Sequence, residues 1–123
     1  MKRDLNLIRE ILRTCECHEC GYAPKKLTIE GYTDEQIGFH VYLAGEAGLL
    51  IVAEKSTPGS TSPEATALNI TWQGYEFLET SRSEIHWNRV TDAAKSAGGM
   101  SLDVLRSILV QATAMAVRER LGF

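Results

Sequence analysis

Apolar positions recur at helical spacing from the start of the chain. Leu5, Ile8, Leu12 and Cys15 fall on one face with Ile11 beside them, so residues 4 to 17 read as an amphipathic helix with Asp4 at its N-terminus. Gly21 and Pro24 end it. The period then changes to two over Lys25 to Glu30: Leu27 and Ile29 alternate with Lys26 and Thr28, which predicts a short half-buried strand. Thr33 followed by Gln36 is a capping box, opening a helix from about Asp34 to Ala47 in which Ile37, His40, Val41 and Ala44 share a face. Gly48 stops that helix.

Leu49 to Glu54 reads as an apolar strand and Ala67 to Thr71 as a second. Between them, residues 55 to 66 hold two prolines, a glycine and many hydroxyls, the composition of a flexible loop. Thr71 caps a third helix, with Trp72, Tyr75, Phe77 and Leu78 as its apolar residues. Ser83 caps a fourth, from Glu84 to about Ala97, burying Ile85, Trp87, Val90 and Ala94. Gly98-Gly99 separates it from a last helix that Ser101 caps and that runs to Leu121. In this last stretch Leu102, Leu105, Ile108, Leu109, Ala112, Met115 and Ala116 make an apolar stripe with little polar surface opposite. That pattern predicts cover on more than one side, which a two-fold homodimer interface supplies.

The order helix, strand, helix, strand, loop, strand, helix is that of an α+β winged-helix-like domain. We expect one domain over residues 1-123, with a winged-helix core at 1-81, a flexible wing at 55-66 and a C-terminal helical extension at 82-123. "FHVYLAGEAGLLIVAE" (Phe39 to Glu54) resembles the helix-then-strand segment of winged-helix regulators, and "ITWQGYEFLE" (Ile70 to Glu79) resembles the strand-then-helix segment after their wing. The chain also resembles a domain-of-unknown-function family of phages, prophages and bacterial genomes. The likeness rests on "MKRDLNLIREIL" (Met1 to Leu12), "IEGYTDEQIGFHVYLAGEAGL" (Ile29 to Leu49), "LNITWQGYEFLE" (Leu68 to Glu79) and Trp87. It implies a winged-helix-like fold and brings no activity with it. The first helix of a helix-turn-helix is reduced here, because only Gly21 to Tyr32 is available and it reads as a strand.

Charge turns the functional reading away from ordinary DNA binding. Between Leu27 and Ser81 the only cation is Lys55, against Glu30, Asp34, Glu35, Glu46, Glu54, Glu64, Glu76 and Glu79. A recognition helix and wing that grip phosphates need Lys and Arg. A separate basic surface is conceivable from Arg9, Arg13, Lys25 and Lys26 with Lys55. The whole chain, at net −3, has no general attraction to polyanions.

Cys15, Cys17, His18 and Cys20 are the one metal-like cluster. Cys17-x-x-Cys20 has zinc-knuckle spacing, but no second cysteine pair exists to complete a site. Three cysteines also exclude a complete internal disulfide framework, which suggests a reducing, cytoplasmic setting. His40, on an apolar face, reads as a core histidine hydrogen-bonded to backbone. Glu84, His86 and Asp92 have no nucleophile paired with them, and no glycine-rich phosphate loop is present. No cofactor, enzyme or membrane role is therefore expected. The expectation is a non-enzymatic binding module acting through protein contacts, with DNA-binding regulation as the alternative.

Overall fold

The computed structural model describes residues 1-96, with side chains to Ala93, as α1 (Leu5–Glu16), α2 (Asp34–Glu46), β1 (Leu50–Glu54), β2 (Ala65–Ile70), α3 (Trp72–Thr80) and α4 (Glu84–Ser96). The class is α+β: four helices and a two-stranded antiparallel sheet among the described residues. Met1–Leu78 forms one compact unit, and a second begins at Glu79. Ala94, Gly98-Gly99 and the expected helix from Ser101, with its stripe from Leu102 to Ala116, lie outside the described residues or side chains.

Each helix of the first unit starts where its cap dictates. Asp4 is the N-cap of α1, its Oδ1 accepting from Asn6 N at 2.9 Å and Leu7 N at 3.2 Å. Thr33 and Gln36 form the reciprocal capping box of α2. At the end of α2, Leu49 N donates to Ala44 O at 2.9 Å and Gly48 N to Gly45 O at 3.1 Å, with Gly48 at φ +75. This Schellman motif needs a residue that tolerates the left-handed region, and it turns Leu49 into the core. Thr71 caps α3 by accepting from Gly74 N at 3.0 Å.

α2 packs on both strands, and α1 packs on α2 and β2. Ile8, Leu12, Cys15, Ile37, Val41, Ala44, Leu50, Ala67 and Ile70 are buried in this unit. In the hairpin Leu50 pairs with Ile70, Ile51 with Asn69 and Val52 with Ala67, so an irregularity falls at Leu68. Gly74 lets α3 ride directly on the turn before β1. A Cβ there would collide with the Leu49 carbonyl oxygen.

Two expectations need correction, and the apolar residues of α3 divide between its two faces. Lys25 to Glu30 forms no strand. Leu27 is buried and Ile29 half-buried as the alternation requires, but among the described residues the backbone bond to the sheet comes before this stretch, from Ala23 N to Leu68 O at 2.8 Å. Pro24, next in line, has no N–H to continue a ladder. Trp72 is 77% exposed and Tyr75 is also exposed, because the inward stripe of α3 is Gly74, Phe77 and Leu78. On α4, Trp87 and Val90 are buried while Ile85 is exposed. Two residues on a helix are about 200° apart, so Ile85 and Trp87 cannot share a face.

The loop after β1 is hydrogen-bonded at both base and tip. Lys55 N donates to Glu64 O at 3.0 Å, Ser56 Oγ accepts from Glu64 N at 2.8 Å, and Thr57 N donates to Ser60 Oγ at 2.9 Å. At the tip, the Thr61 and Ser62 hydroxyls both donate to Glu35 Oε1 on the first turn of α2.

Candidate binding surfaces

Pro24 to Leu27 runs past β2 without pairing to it, and the gap between them is a groove of about 280 Å³. Its apolar lining residues are Leu27, Ile37, Val41, Ala65 and Ala67, and three lysines line it with them: Lys25, Lys26 and Lys55. Asp34 is the acid among the lining residues, with Oδ2 at 4.0 Å from Lys26 Nζ. Both side chains of that pair are exposed, so water screens it and the pair adds little stability. Sequence order scatters these lysines over 30 positions; the fold collects them because β1 ends at Glu54 beside the start of α2.

The other two cations expected to make a basic surface are elsewhere. Arg9 is 3% exposed, which removes it from any surface contact with a phosphate; this corrects the reading of Arg9 as a DNA-contacting residue. Its Nη1 lies 4.0 Å from Glu10 Oε1. Arg13 is exposed and donates to the same Glu10 oxygen at 3.1 Å. Lys25, Lys26 and Lys55 thus converge, while Arg9 and Arg13 do not join them at the groove.

The cysteine cluster divides. Cys15 is buried on α1, and burial pushes its thiol up to about 11, away from the thiolate a metal needs. Cys17 and Cys20 are exposed. His18 Nδ1 stands 2.9 Å from Tyr22 O and 3.2 Å from Cys20 Sγ. A carbonyl only accepts, so Nδ1 carries the proton and is turned inward to its own loop. No three His, Cys, Asp or Glu groups come together as a metal site among the described residues. The set Cys15, Cys17, His18 and Cys20 is therefore not assembled, because α1 commits Cys15 to the core.

His40 is 2% exposed and fully engaged. Its Nδ1 lies 2.7 Å from Gln36 O, and its Nε2 accepts from Asp4 N at 2.9 Å. One ring nitrogen must donate and the other must accept, which selects the neutral Nδ1–H tautomer. Tyr32 Oη donates to Asp4 Oδ2 at 3.0 Å. Burial, and then this bond to Asp4, push the Tyr32 phenol above its ordinary range. Asp4, Tyr32 and His40 thus join the starts of α1 and α2, and His40 has no ring nitrogen left for proton transfer to a substrate.

The outer face of the hairpin carries exposed Ile51 and Leu68, and the outer face of α3 carries exposed Trp72 and Tyr75. Glu54 on the hairpin and Glu76 on α3 are exposed as well. Sequence reading names Trp72 and Tyr75 only as apolar residues of this helix. The signal for the face they take is Gly74, whose neighbours at i+3 and i+4, Phe77 and Leu78, complete an inward stripe.

Among the described residues no helix is long and apolar enough to cross a membrane. Comparison with known proteins gives a family and one curated relative. Residues 2–101 match the model of a family described as hypothetical protein (DUF2513). An uncharacterized protein of Haemophilus influenzae is 33% identical over 112 residues, covering 88% of this chain and 92% of its own. No solved structure matches the chain.

Proposed function

The chain belongs to the DUF2513 family, and from its geometry we propose that it is a winged-helix-like, non-catalytic binding module of mobile-element type that acts through protein contacts. The observation that carries this reading is the exposed apolar surface on the hairpin and α3. Trp72 at 77% exposure, with exposed Tyr75, Ile51 and Leu68, has the residue chemistry of an interface centre, and exposed Glu54 and Glu76 have that of a polar rim. Contiguous exposed apolar groups on a folded surface mark contact sites.

The winged-helix reading is supported by the succession of α2, Schellman turn, hairpin and α3, and by the motif resemblance of Met1 to Leu12, Ile29 to Leu49 and Leu68 to Glu79. The same resemblance supports a phage or prophage origin. A cytoplasmic setting is part of the proposal and is supported by the free cysteines. Homodimerisation through the stripe from Leu102 to Ala116 is part of the proposal and rests on sequence pattern alone.

The DNA-binding alternative is weakened by the acids exposed on α2 and the hairpin: Asp34, Glu35, Glu46 and Glu54. Burial of Arg9 weakens it further. A photo-crosslinking amino acid at position 72, expressed in the host, tests the reading. We expect discrete protein adducts at position 72 and none at exposed Glu46. The reading fails if position 72 gives no protein adduct. It also fails if the purified protein binds random duplex DNA with a steep salt dependence that is lost in Lys25→Glu/Lys26→Glu.

A further inference from the structure

We propose that the lysine-rimmed groove between Pro24–Leu27 and β2 is a binding site for a small organic monocarboxylate. The site is separate from the exposed apolar surface on which the protein-contact reading rests, so either can fail without the other.

The first argument is charge. From Leu27 to Ser81 the chain carries one cation among eight acids, and that cation, Lys55, lines this groove. Lys25 and Lys26, contributed by the segment opposite, line it too. Three lysines of a net-negative protein therefore line one concavity. Their like charges repel, and a bound anion relieves the repulsion. Asp34 at 4.0 Å from Lys26 offsets one of the three. Glu64, whose side chain packs over the lining residue Gly38, adds a second negative charge beside the groove. What remains favours a single negative charge over a phosphate dianion or a polyanion.

The second argument is shape. Leu27, Ile37, Val41 and Ala67 give the groove an apolar wall beside its polar one, so its occupant has an apolar body as well as a charged head. A volume of about 280 Å³ equals that of about nine liquid waters, the scale of one aromatic ring with its carboxylate. The absence of a paired strand at 25 to 30 acquires a consequence here: a strand laid on β2 would close the gap.

The test is an amide-resolved NMR titration of the full chain with benzoate, with benzamide as its neutral isostere and with phenyl phosphate. Benzoate is expected to give saturable shifts at residues 25 to 27, at Ile37 and Gly38, and at 65 to 67. Benzamide is expected to bind about two- to fivefold more weakly, the effect of losing an exposed ionic contact. Lys55→Gln weakens benzoate by about the same factor, and Asp34→Asn, which removes the competing acid, tightens it. Neither change touches the buried core, and unchanged amide dispersion verifies the fold. The proposal is overturned if benzoate and benzamide behave alike, if Asp34→Asn weakens binding, or if shifts at these residues fail to saturate at tens of millimolar. Tighter binding of phenyl phosphate than of benzoate likewise overturns the carboxylate assignment.

Discussion

Replacing His40 by phenylalanine keeps a ring in its space and removes both nitrogens from the joint between α1 and α2. Two contacts go: Asp4 N to Nε2 at 2.9 Å and Nδ1–H to Gln36 O at 2.7 Å. The Gln36 carbonyl retains the helix's own bond, so its loss is small. The Asp4 N–H loses its acceptor at a half-buried position beside the α1 cap. Stranding such a donor costs about 1–3 kcal/mol, with the lower half applying where water still reaches. His40→Phe should therefore cost about 1–2 kcal/mol. His40→Ala adds the loss of a packed ring from a site 2% exposed. Its total is expected at about 3–5 kcal/mol, in the range of large-to-small core changes. Urea unfolding followed by far-UV circular dichroism measures both. An unchanged slope with denaturant shows that the folded and unfolded states keep their exposed surface. If His40→Phe is as stable as the parent chain, the ring is only filling space and the hydrogen-bonded role assigned to it is wrong.

Two further expectations come from single contacts. Glu35 accepts from Thr61 and Ser62, and these bonds hold its carboxyl below the ordinary value of 4.5. A depressed folded-state value stabilises the tip above pH 4.5 and is lost as pH falls through that lower value. Amide exchange at residues 57 to 63, measured relative to the rest of the fold, should accelerate on acidification below pH 4.5, and Glu35→Gln should make it fast at neutral pH as well. A tip whose relative protection ignores both changes is not held by Glu35. Gly74→Ala would ordinarily strengthen a helix by about 0.5–1 kcal/mol. Here the added methyl meets the Leu49 carbonyl and lies 2.6 Å from Ile70 Cγ2, so thermal unfolding should instead show a loss of about 1–3 kcal/mol. A stabilised variant would contradict the close approach of α3 to the Leu49 turn.

The candidate site was only partly legible. Lys25, Lys26 and Lys55 can be named as surface cations from sequence, but their meeting depends on where β1 ends relative to the loop before α2. Arg9 shows the limit of charge reasoning. An arginine on an amphipathic helix is assigned to solvent by default, yet tertiary packing leaves it 3% exposed. The cysteine run fails as a metal site for a local reason with a tertiary cause. The 3.6-residue period that identifies α1 already places Cys15 with Ile8 and Leu12, and burial in the fold then raises its thiol.

What the chain itself determined was local. Asp4, Thr33, Thr71 and Ser83 cap their helices because a short polar side chain reaches the backbone N–H groups two or three residues on, and Gly48 ends α2 because it tolerates φ +75. Tertiary structure alone decided whether an apolar or charged side chain met protein or water. The alternation of Leu27 and Ile29 was real, but a strand also needs a partner's backbone groups, and Pro24 breaks the approach to β2 after one bond. Trp72 and Tyr75 lie outside because the smallest residue of their helix, Gly74, permits the closest packing. Hydrophobicity identifies a side chain that can be buried; close packing selects the one that is.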